Sequence, residues 1–63
     1  MSNEDELRVK KLQILIKTYT EMLNIYIETA EKLNSAHQQL EAKPYIEQAR
    51  TLSMVIDDLK FML

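Results

Sequence analysis

Apolar residues recur every three or four positions along the first two thirds of the chain. This first seam runs for more than four heptads and consists of Val9, Leu12, Ile16, Tyr19, Leu23, Tyr26, Ala30, Leu33, His37 and Leu40. A heptad pattern of this length is typical of a coiled coil or a helical hairpin, because it keeps one face of a helix against another helix. The pattern therefore predicts one long helix that packs on a partner along this face.

A second seam follows a single proline. Its members are spaced by four and three residues and are Tyr45, Ala49, Leu52, Ile56, Leu59 and Leu63. Proline lacks an N–H and disfavours helical backbone in the residue before it, but it is well tolerated at the first position of a helix. We therefore predict a single all-α domain over residues 1–63, an antiparallel helical hairpin. Its long first helix covers about 4–41, its turn 42–44, and its shorter second helix about 44–63.

One other turn position is compatible with the sequence. Ser35 and Gln38 form a capping-box pattern after Asn34, which is typical of a helix start. The first seam crosses this point without a break, which favours a continuous helix and the turn at Pro44.

The predicted helices differ in length, and this difference predicts a binding surface. At about 1.5 Å per residue the first helix is roughly 57 Å long and the second roughly 30 Å, so residues 7–22 lack a partner within the hairpin. Apolar residues also lie opposite the seams, where a hairpin offers no contact, and large exposed apolar patches usually mark interfaces. The predicted partner-binding residues are Val9, Leu12, Ile14, Leu15, Ile16, Tyr19, Met22, Ile25, Met54 and Phe61.

The composition argues against catalysis, cofactors and metals. The 63 residues contain no Cys, no Gly and one His, so they offer no phosphate-binding glycine loop, no Cys–His pair and no metal-ligand set. The neighbouring carboxylates Asp57 and Asp58 point about 100° apart on a helix and do not converge on one substrate. We expect no enzyme activity, and we interpret His37 as a polar seam residue near the turn rather than a pH switch.

Charge and hydropathy favour a protein partner. The net charge is −2, and Arg8, Lys10, Lys11 and Lys17 scatter around the helix next to three acidic residues, so we expect no nucleic-acid binding. No apolar run reaches the 18 residues that a membrane span needs, and the acidic start does not resemble a signal peptide. We expect a cytoplasmic protein without membrane association.

In the second helix Tyr45 is followed by the run Gln48-Ala49-Arg50, and then by Leu52 and Ile56. With these residues and its hairpin layout, the chain resembles the small E-type co-chaperones of bacterial type III secretion systems. Members of that family often carry glycine near the turn, and this chain has none. The resemblance implies a partner that is a larger helical-repeat chaperone, with which the chain keeps the needle subunit soluble before export.

The alternative is a homodimeric four-helix bundle that acts as a regulator, with RNA as one candidate target. Two hairpins that pair through their apolar faces build such a bundle, so the sequence leaves self-association and association with an unlike chain both open. A chain of this length without disulfides or metal usually needs a partner chain for stability, whether a second copy of itself or an unlike protein.

Overall fold

The computed structural model describes residues 3–63 as two helices that pack against each other. Helix α1 covers Asn3–Ser35 and helix α2 covers Gln39–Phe61. The described part of the chain measures 54 × 14 × 10 Å. A 33-residue helix alone is about 50 Å long, so α2 lies alongside α1 rather than continuing it. The predicted all-α helical hairpin, with a longer first helix, is confirmed.

The turn lies at residues 36–38, so the prediction of a turn at 42–44 is wrong. The N–H of His37 donates to the carbonyl of Asn34 at 3.0 Å, and the N–H of Gln38 donates to the carbonyl of Leu33 at 2.8 Å. His37 has a φ of 61°, in the left-handed region. Together these features form a Schellman motif, in which a left-handed residue ends a helix and satisfies its last carbonyls. His37 is therefore the turn residue and does not belong to the seam.

Pro44 lies inside α2, in its second turn, and not at its first position. A proline there cannot donate the bond that residue 44 would otherwise make to the carbonyl of Leu40, and its ring crowds that carbonyl. The helix nevertheless continues through Pro44 to Phe61. The turn at 36–38 gives α2 a longer overlap with α1 than a turn at 42–44 would, and this extra pairing offsets the unfavourable proline position.

The two seams face each other and form the core. Ala30, Ala42 and Ile56 are the buried residues of the described chain. Around them most of the other seam residues are half-buried: Leu12, Ile16, Tyr19, Leu23, Tyr26, Leu33, Ala49, Leu52 and Leu59. The small side chains of Ala30 and Ala42 lie on opposite helices near the turn.

A pair of tyrosines sets the register of the two helices. The ring centroids of Tyr26 and Tyr45 lie 6.1 Å apart, with ring planes inclined at 42°. Leu63 comes 18 residues after Tyr45, and Arg8 comes 18 residues before Tyr26, so the last described residue lies at about the level of Arg8. The helix overhang is thus confined to about the first two turns of α1 and does not extend over 7–22.

Candidate protein-binding surfaces

Helix α1 carries a row of exposed aliphatic side chains on the side away from α2. Leu7, Ile14 and Ile25 are 54%, 65% and 61% exposed. At 100° per residue they lie within about 20° of one another around the helix and roughly 140° from the centre of the first seam. We call these three residues the α1 outer stripe. The helix cannot bury them within the hairpin, because α2 occupies the opposite side.

Helix α2 has a corresponding row. Met54 is 67% exposed and Phe61 is 93% exposed. They lie one heptad apart and roughly 160° from the centre of the second seam. We call these two residues the α2 outer stripe. The hairpin therefore presents apolar side chains on both of its outer edges.

The predicted partner-binding residues fall into three groups in the structure. Leu12, Ile16 and Tyr19 are half-buried in the seam against α2. They were predicted as binding residues because they lacked a partner within the hairpin, and that reason is wrong since the turn lies at 36–38. Three residues along the seam or its margin are partly exposed, at 42%, 40% and 36%, namely Val9, Leu15 and Met22. The remaining four belong to the outer stripes, namely Ile14, Ile25, Met54 and Phe61.

Sequence reasoning missed one exposed residue near the turn. Leu40 was assigned to the first seam, but it belongs to the first turn of α2 and is 85% exposed. On α2 it lies roughly 150° from the seam, on the same side as the α2 outer stripe. The capping-box pattern at Ser35 and Gln38 was the signal that could have placed Leu40 on the second helix.

Two open grooves lie beside the first turns of α1. One has a volume of about 380 Å³ and includes Leu7, Arg8 and Lys11 in its lining, and the other has a volume of about 330 Å³ and includes Val9 and Lys10. Each groove combines aliphatic with charged side chains. All the lining residues belong to α1, as expected for a segment at the free end of the hairpin.

Metal-ligand groups and membrane spans were both sought among the described residues. They contain no group of three or more His, Cys, Asp or Glu side chains that could hold a metal ion. Neither described helix is long and apolar enough to cross a membrane.

Comparisons with known proteins add no relative. A scan of protein-family models, a search of curated proteins and a search of solved structures each gave no match.

Proposed function

We propose that this chain is a non-enzymatic binding protein of the cytoplasm that uses its exposed apolar side chains to bind another protein. Following its resemblance to the E-type co-chaperones, we propose that the partner is a larger helical-repeat chaperone. Together the two would keep the needle subunit of a type III secretion system soluble before export.

One observation carries the proposal. The only large side chain that the hairpin buries among its described residues is that of Ile56, whereas Phe61, Met54 and Ile14 remain more than 60% exposed. Burying an apolar side chain of this size stabilises a protein by about 1.5–3 kcal/mol relative to leaving it in water. A hairpin with so much apolar surface outside its core gains stability from any partner that covers that surface.

The α2 outer stripe is the better candidate for the unlike partner. Helical-repeat proteins form extended concave surfaces, and an amphipathic helix can dock into such a groove through side chains on one face. Phe61 supplies a large rigid anchor, and Met54 supplies a flexible side chain that adapts to an irregular groove. Leu40, on the same side near the turn, would extend the contact along most of α2.

The mechanism is burial. The hairpin covers apolar surface on the chaperone, the chaperone covers the α2 outer stripe, and the pair then shields an aggregation-prone export substrate. This mechanism needs no catalytic group and no cofactor.

Affinity purification of the tagged chain from its native cells tests the proposal. We expect a helical-repeat chaperone and a small export substrate to co-purify with the unmodified chain and to be lost with Phe61→Glu. Circular dichroism of the Phe61→Glu variant must show unchanged helicity, because Phe61 contributes little to the hairpin core. Recovery of neither protein with the unmodified chain would contradict the co-chaperone proposal.

A further inference from the structure

We propose that a second copy of this chain docks on the α1 outer stripe, with the two α1 helices antiparallel and related by a twofold axis near residue 19. The two α2 helices then lie on the outside of the pair. This inference goes beyond the co-chaperone proposal and does not depend on it.

The charges beside the α1 outer stripe are arranged for this pairing. Lys10, Lys17, Glu21 and Glu28 are all exposed and lie within a band of about 40° along one margin of the stripe. The amino-terminal half of the band is basic and the carboxy-terminal half is acidic. An antiparallel copy of the same helix therefore places acidic residues opposite basic ones along the whole band.

The positions of these four residues also fit one register. Residues that face each other across a twofold axis between antiparallel helices have position numbers with a constant sum. Lys10 with Glu28 and Lys17 with Glu21 both sum to 38. A single register thus forms four opposite-charge pairs per dimer. The twofold rotation also places the charged margins of the two helices on the same side of the interface, where they can meet.

The apolar residues fit the same register. Ile14 and Ile25 sum to 39, so the Ile14 of each copy lies opposite the Ile25 of the other. Lys32 of one copy lies at the level of Leu7 of the other, where its aliphatic stem can cover that leucine. One self-complementary contact therefore buries the exposed aliphatic side chains and pairs the charges beside them. An isologous interface requires this self-complementarity.

The size of the contact predicts a weak dimer. From Leu7 to Lys32 the strip is about 37 Å long, and at a helix width of about 10 Å it covers on the order of 400 Å² of each copy. A standard stable complex buries about 800 Å² per partner. We therefore expect a dissociation constant in the micromolar range or weaker. The α2 outer stripe stays free, since it lies on the far side of each hairpin.

Charge reversal with complementation tests the register. One variant, Lys10→Glu/Lys17→Glu, makes the band acidic throughout, and the other, Glu21→Lys/Glu28→Lys, makes it basic throughout. By sedimentation equilibrium between about 1 and 300 µM we expect each variant alone to dimerise at least tenfold more weakly than the unmodified chain. An equimolar mixture should recover the unmodified affinity, because each acidic band then faces a basic one, and added salt should weaken the unmodified dimer.

A matched pair of apolar variants tests the surface. Ile14 and Met54 are almost equally exposed, at 65% and 67%, but they lie on opposite edges of the hairpin. We expect Ile14→Glu to abolish self-association and Met54→Glu to leave it unchanged, with helicity retained in both by circular dichroism. Three results would each overturn the proposed dimer. The unmodified chain could be a monomer at every concentration, Ile14→Glu and Met54→Glu could weaken self-association equally, or the mixed charge variants could fail to recover the unmodified affinity. Loss of the dimer leaves the co-purification test unaffected, so the two proposals fail separately.

Discussion

Replacing His37 with glycine should stabilise the hairpin. His37 has a φ of 61°, and for a residue with a Cβ atom this conformation costs about 1–2 kcal/mol. Glycine avoids that cost but makes the unfolded chain more flexible, which removes about 0.4–1 kcal/mol of the gain. The net expectation is a stabilisation of about 0.5–1 kcal/mol.

Thermal unfolding at a fixed protein concentration measures this effect. For a domain of 60–100 residues, 1 kcal/mol corresponds to a change in Tm of about 4–8 °C, so His37→Gly should raise Tm by about 2–8 °C. Ala36→Gly is the matched control, because residue 36 is also exposed and does not have a positive φ. There glycine only adds flexibility to the unfolded chain, and Tm should fall.

The sign of the change decides where the chain turns. If the turn lay at residues 42–44, His37 would be in the interior of the first helix, where glycine destabilises by roughly 0.5–1 kcal/mol relative to alanine. A lower Tm for His37→Gly, similar to that of Ala36→Gly, would therefore refute the Schellman turn and the register derived from it.

Two further substitutions and one binding experiment have expected outcomes. Pro44→Ala should raise the Tm of the hairpin, because it restores a backbone donor in the second turn of α2 and removes a ring clash, which together cost about 3 kcal/mol or more in a helix interior. Ile56→Ala should lower the free energy of unfolding in a urea titration by about 2–5 kcal/mol, since Ile56 is the largest buried side chain of the described residues. Titration of the unmodified chain with RNA near physiological salt should show no binding. Salt-sensitive binding that Lys10→Glu/Lys11→Glu/Lys17→Glu abolishes would instead favour the regulator.

The sequence was sufficient for the helices and their seams but not for the turn. Periodicity is a local signal, and the seam residues from Leu23 to Leu33 and from Ala49 to Leu59 are buried or half-buried between the helices, as predicted. Leu12, Ile16 and Tyr19 are half-buried there too, although the sequence predicted no partner for them within the hairpin. The usual signal for the end of a helix is glycine, and this chain has none, so the left-handed position falls on a histidine. Pro44, the strongest breaker in the sequence, then indicated the wrong place, because extended pairing with α1 outweighs its preference for a helix start.

The position of the turn determines which apolar residues remain available for a partner. A turn at 42–44 leaves Leu12 and Ile16 exposed, so that binding would use the same face of the helix as the hairpin core. With the turn at 36–38 these residues lie in the seam, and the apolar side chains that remain exposed include the outer stripe on each helix. Binding and folding then use opposite faces of the same helices. A substitution such as Leu12→Asp should therefore unfold the hairpin, whereas Ile14→Glu, two residues away, should leave it folded and remove only its association.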